Sequence, residues 1–170
     1  MTAPRIRHET ASDKEAVFRV NRAAFGRDEE AELVDALRDG GKYVLSLVAE
    51  IDGEIVGHAL YTPLRVESEA GAVVFVALGP LAVAPEHQRQ GIGARLMEAA
   101  HEELRAMGET AVFLLGHVSY YPRFGFRPAR EFDVHYEDDR DSFMALELVA
   151  GALSGVSGRA AFAEEFSRFE

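Results

Sequence analysis

GAVVFVALGPLAVAPEHQRQGIGARLMEAAHEELRAMG, residues 71–108, runs from an apolar strand through a polar turn into a helix, and its reading decides the fold. Ala72 to Ala84 is rich in Val, Phe and Leu, which suit a buried strand. Gly79 and Pro80 interrupt it. Proline has no N–H to give a ladder, so a bulge or bend is expected there. From Gly91 onward, Ile92, Leu96, Ala100, Leu104 and Met107 recur at helical spacing until Gly108 stops the helix.

The turn between strand and helix, PEHQRQG, is where chemistry enters. The first N–H groups of a helix have no intrahelical acceptor and carry about half a positive charge, so they form an anion site. Gly91 and Gly93 remove side chains that would hold an anion away from those amides, and Gln88, Arg89 and Gln90 are further donors. Alone, the same pattern also describes a glycine-softened helix start that binds nothing. A dinucleotide-binding βαβ unit fits poorly: GIGARL lacks the third glycine and lies late in the chain, after two hairpins. No Gly-Lys-Ser/Thr phosphate loop is present.

Working outward, RIRHET at Arg5 alternates as a short first strand does, and Ser12 with Glu15 reads as a capping box opening a helix to about Ala24. Val17, Val20 and Ala24 give that helix its apolar face. A second helix with Ala31, Leu33, Val34 and Leu37 ends at Gly40 and Gly41. YVLSLVAEIDGEIVGHALYTPLRVES, from Tyr43, reads as two strands joined by Asp52 and Gly53, a strong hairpin signal. Downstream come a buried strand AVFLLG at Ala111, an aromatic turn SYYPRFGFRPA, and a last strand near Phe143 to Val149. Residues 150–170 read as an extended tail. The fold class expected is α/β (α+β), with a mixed, mostly antiparallel sheet of about six to seven strands flanked by helices, in one domain over residues 1–170.

The 170 residues are 48% hydrophobic, enough to bury a real core, and carry 18 Lys and Arg against 29 Asp and Glu, a net charge of −11. That charge repels nucleic acid and anionic membranes, so neither partner is expected. It is uneven, since residues 85–130 hold six Arg and five Glu. The apolar runs are too short to span a bilayer, MTAPRIRHET lacks a signal-peptide core, and there is no cysteine. A cytoplasmic protein without disulfides is the plain reading. No His or acidic spacing suggests a metal.

LAVAPEHQRQGIGARLMEAA resembles the signature of the GNAT superfamily of N-acetyltransferases, with Gln88, Gly91 and Gly93 in the motif positions. YYPRFGFRPA resembles the family's second element, with Tyr121, Gly125 and Phe126 in matching places. The two motifs come in family order, and the resemblance runs over roughly residues 5–149. It implies a GNAT-like fold and acetyl-CoA as cosubstrate. Backbone groups of Leu81, Ala82 and Val83 would pair with the pantetheine arm, and Gln88, Arg89, Gln90, Gly91, Ile92, Gly93 and Ala94 would hold the pyrophosphate. One departure stands out: family members often carry Asn seven residues before the tyrosine, where this chain has Leu114.

Acetyl transfer to an amine needs a neutral amine and a protonated leaving thiolate. A free alkylamine of pKa about 10.4 spends roughly 4 to 5 kcal/mol to be neutral at pH 7. A phenol near 10 is the matching candidate to protonate a thiolate of pKa about 8.5, and the family match makes Tyr121 the expected general acid. His117, four residues earlier, is the candidate base, ahead of Glu50, His58 or ordered water. FGRDEE at Phe25 and YEDDRD at Tyr136 are acidic stretches that would suit a cationic acceptor or simply face solvent. Phe132, Phe143 and Met144 read as core. The expected acceptor is a small-molecule or peptide amine, with a homodimer left open. The alternative is a CoA-binding module without catalysis; a nicotinamide-dependent oxidoreductase ranks third.

Overall fold

A computed structural model describes residues 3–169. Its strands are β1 (Arg5–His8), β2 (Leu45–Ile51), β3 (Glu54–Ser68), β4 (Gly71–Val83), β5 (Ala111–Leu115), β6 (Arg127–Pro128), β7 (Val134–His135), β8 (Phe143–Glu147) and β9 (Gly158–Phe162), and its α-helices are α1 (Lys14–Phe25), α2 (Glu29–Asp39) and α3 (Ile92–Ala106). The chain forms two compact units. One takes the stretch up to Tyr61, Pro80–Glu103 and the end from Glu164; the other takes Thr62–Gly79 and Leu104–Ala163. The expected class, a mixed and largely antiparallel sheet with helices, is the one observed.

In the first unit β1 pairs antiparallel with β2, His8 opposite Leu47, and β2 with β3, Leu45 opposite Tyr61. Asp52 and Gly53 both have positive φ, 51° and 82°, as a two-residue hairpin turn requires. The helix start differs from the expected capping box. The Thr10 amide donates to the Asp13 carboxylate at 2.7 Å, and Arg7 grips that carboxylate at 2.7 and 2.9 Å. Asp13 therefore outcompetes Glu15, and Arg7 holds its carboxyl well below the usual range. α1 ends one residue past the expected Ala24, where Gly26 turns left-handed at φ 71°. Gly57 lets α3 lie against β3, since a Cβ there would stand 3.1 Å from both Ile92 and Leu96.

In the second unit β4 runs parallel to β5, Val76 opposite Val112 and Leu78 opposite Leu114. β5 is antiparallel to β8, Leu114 opposite Met144, and β6 pairs with β8. Phe75, Phe113 and Phe143 stack in the core with Leu64, Val66 and Leu153. The expected break at Gly79 and Pro80 does not interrupt β4, which is continuous to Val83; instead the ladder to β5 ends at Leu78. Phe143 and Met144 are core as expected, 2% and 1% exposed.

The supposed tail is part of this core. β9 pairs antiparallel with β3, Leu64 opposite Phe162, and parallel with β7. Leu153 is buried, and its amide donates to Glu147 at 2.8 Å. Gly158, at φ 144°, lies so close to Glu67 that a Cβ would come within 2.2 Å of its carbonyl oxygen. GALSGVSG carries no apolar periodicity, and β9 alternates over only five residues, two of them alanine. β9 and the two-residue β6 and β7 bring the strands among the described residues to nine rather than six or seven.

Candidate active site

The turn that opens α3 lies wholly in the first unit. Ala84 anchors it by donating to the Val56 carbonyl at 2.8 Å, and a single helical turn over Pro85–His87 follows. Two glutamines brace the turn from inside. Gln88 Nε2 donates to the Val83 carbonyl at 3.0 Å, and Gln90 Nε2 to Glu86 at 3.4 Å. Gln88 and Gln90, two of the three side chains expected as anion donors, thus each commit an amide N–H to the loop's own backbone. Arg89 and Gly91 both adopt left-handed backbone, φ 63° and 82°, which swings the chain into α3.

The Arg95 amide bonds the Gly91 carbonyl at 3.1 Å, so the amides of Ile92, Gly93 and Ala94 precede the first intrahelical bond. Ile92 is buried and pins the helix start, while Gly91 is exposed with nothing within 4 Å of a would-be Cβ. No acidic residue lies between Glu86 and Glu98, whereas Arg89 and Arg95 are both exposed. Along β4, Ala82 is buried and Leu81 and Val83 are half-buried. The arrangement offers an anion a set of backbone donors at the positive end of a 15-residue helix.

The aromatic turn lies wholly in the second unit. Gly116 donates to the Ser142 carbonyl at 3.0 Å, and the His117 carbonyl accepts from Tyr120 at 3.1 Å and Tyr121 at 3.3 Å. His117 and Tyr121 are thus joined through backbone, with His117 itself exposed. Tyr121–Phe124 makes one helical turn, ended by Gly125 at φ 97°. The Tyr121 ring meets Tyr120 edge-on at 5.0 Å and the buried Phe126 at 5.8 Å. Burial, with Tyr120 adding to it, pushes the Tyr121 phenol up to about 12, so it stays protonated at neutral pH. Gly116 lies beside this tyrosine and Arg123 against its neighbour Tyr120, and the sequence reading singled out neither. Arg123 stands inside the quoted motif, but its spacing carried no signal of what it touches.

Other candidates fall away from the site chemistry. His58 is fully buried; Asn21 Nδ2 lies 3.1 Å from its Nδ1 and Ser46 Oγ 3.0 Å from its Nε2, and Ser46 donates to Glu9 at 2.6 Å. Burial, then the Arg38 charge, drives its pKa down to about 3, which suits a neutral core imidazole. Glu50 pairs with Arg7 at 3.3 Å and Arg5 at 3.6 Å. Carboxylates of both acidic stretches are tied up locally: Arg27 holds Glu29 and Glu30, Arg22 holds Asp28, and Arg140 holds Glu137 and Asp138. Leu114 is 1% exposed and brings no polar side chain to the family's Asn position. Among the described residues no group of three His, Cys, Asp or Glu is placed to hold a metal, and no helix is long and apolar enough to cross a membrane.

Residues 5–129 match the acetyltransferase (GNAT) domain family. The chain is 43% identical over 119 residues to the uncharacterized N-acetyltransferase YjhQ of Escherichia coli, covering 69% of this chain and 66% of that protein. It is 34% identical over 167 residues to the uncharacterized N-acetyltransferase YhbS of the same organism, covering 96% and 99%. The crystal structure of YhbS in complex with CoA superposes with a TM-score of 0.93 at 32% identity, over 100% of this chain and 95% of that one. A GNAT family acetyltransferase from Brucella melitensis in complex with acetyl-CoA superposes with a TM-score of 0.79 at 32% identity, over 96% and 97%.

Proposed function

The chain belongs to the GNAT family of acetyltransferases, and from that premise we propose that it transfers acetyl from acetyl-CoA to a primary amine of a small molecule or peptide. The start of α3 carries this reading. Its unpaired amides, reached past Gly91, suit a pyrophosphate, and the CoA and acetyl-CoA complexes of the two 32%-identical structures support the same ligand. Backbone of Leu81, Ala82 and Val83 pairs with the pantetheine arm. At Val83 the carbonyl already holds Gln88, which leaves its N–H as the better partner.

Tyr121 supplies the proton to the departing sulfur. A phenol at about 12 gives its proton to an ordinary thiolate only uphill, so the transfer accompanies C–S cleavage, in a site dry enough to raise the basicity of the sulfur as well. His117, exposed at the foot of the same turn, takes the proton from the amine. The cysteine-free composition supports a cytoplasmic setting.

Calorimetric titration with acetyl-CoA tests the cofactor, and a folded protein that takes up none would end the reading. Thiol release across a panel of primary amines then tests transfer. Binding without release would favour the non-catalytic module, the reading to which the apolar Leu114 lends support.

A further inference from the structure

Tyr121 is seated by residues that belong to no family motif position. Arg123 Nε donates to the Tyr120 carbonyl at 3.0 Å and its Nη2 to the Ser119 carbonyl at 3.1 Å. Its guanidinium lies over the Tyr120 ring, 5.0 Å from the centroid. Tyr120 in turn packs edge-on against Tyr121 at 5.0 Å and Phe124 at 5.1 Å. One side chain thus ties down two carbonyls and one aromatic face, all within two residues of the phenol. The floor of the seat is Gly116, where a Cβ would come 2.3 Å from Cε2 and 2.7 Å from Cδ2 of Tyr121. Gly116 has no left-handed φ, so its lack of a side chain answers to the ring above it and not to backbone geometry.

Both contacts bear on where the phenol points. Proton donation is steep in distance and angle, and a displacement of about 1 Å costs on the order of 100-fold in rate. Arg123 is exposed in the short turn Tyr121–Phe124, and its two bonds and one stack are all made to Ser119 and Tyr120. We propose that Arg123 and Gly116 are positioning residues for the acetyl-transfer step, acting through Tyr121: Arg123 clamps the turn and Tyr120 against one edge of the ring, and Gly116 leaves the space the ring fills. This rests on Tyr121 being the proton donor.

The test measures thiol release from acetyl-CoA in the full chain, with the best amine of a panel, or with water where none accelerates it, beside acetyl-CoA affinity by calorimetry. Arg123→Ala is expected to lower kcat about tenfold with acetyl-CoA affinity within about twofold, and Arg123→Lys to recover only part of it, because one ammonium cannot reach two carbonyls and stack. Gly116→Ala puts a methyl directly against the same ring and is expected to lower kcat at least as much. The deciding measurement is the double variant: Arg123→Ala on Tyr121→Phe should cost nothing beyond Tyr121→Phe alone. Additive losses would overturn the proposal, as would unchanged kcat in either Arg123→Ala or Gly116→Ala. If Tyr121→Phe itself turns over normally, the proton-donor reading has failed and the proposal falls with it, whereas a slow Tyr121→Phe beside a normal Arg123→Ala rejects the proposal alone.

Discussion

The turn at the start of α3 and the turn that carries Tyr121 are both short, both rich in glycine, and built on opposite principles. The first presents backbone. Its side chains, Gln88 and Gln90, fold back to brace carbonyls, and Arg89 and Gly91 accept left-handed φ where the chain enters a helix whose first three amides precede its first intrahelical bond. The second presents a side chain, and its backbone is the brace, with the His117 carbonyl holding two amides and Arg123 holding two carbonyls. A backbone site tolerates side-chain exchange and is damaged through φ. A side-chain site tolerates backbone adjustment and is damaged through packing.

That contrast is sharpest at Tyr121. Tyr121→Phe keeps the ring contacts and removes only the proton, so kcat should fall about 100-fold while acetyl-CoA affinity stays within about twofold, read by thiol release and calorimetry. Gly91→Ala should do the reverse. Nothing stands within 4 Å of the new methyl, so its damage comes from φ 82° and from the methyl beside the amides. Affinity for acetyl-CoA should weaken about tenfold, with turnover at saturation nearly kept. A loss of kcat without loss of affinity in Gly91→Ala would break the contrast.

Alkaline pH probes the aromatic turn alone. Burial raises the Tyr121 phenol from its ordinary value of about 10 to about 12 in the folded protein, so the folded state holds that proton more tightly than the unfolded one. The stabilisation is complete below about pH 10 and is lost as pH rises through 12. Urea unfolding at pH 9 and pH 11 should show an extra loss of about 1 kcal/mol in the parent relative to Tyr121→Phe. The smallest effect belongs to the other turn: Arg89→Gly relieves a non-glycine residue at φ 63° and should stabilise by under about 1 kcal/mol in the same assay.

Legibility followed the same division. Hairpin, helices and the α3 start were readable because each is set by residues adjacent in the chain: Asp52 and Gly53 for the turn, Ile92, Leu96 and Ala100 for the helix face. Asp13 in place of Glu15 at the first cap was not, because Arg7 decides it from the neighbouring strand. β9 was missed because its pairing with β3 joins residues nearly a hundred positions apart, and small residues give no periodic signal. The role of Gly116 hides for a similar reason, since only the folded turn lays the Tyr121 ring over it.

By itself the sequence determined what depends on local backbone chemistry: a mixed sheet of hairpins, a helix opening on glycines, and a tyrosine within an aromatic turn. Only the tertiary structure decided which ionisable groups are available. His58 and His117 look alike as letters, yet His58 sits in a closed chain with Asn21, Ser46 and Glu9, partners that are distant along the chain but side by side in space, while His117 is exposed. The physical reason is that a pKa is set by solvent and neighbouring charge, and burial is a property of the packed chain.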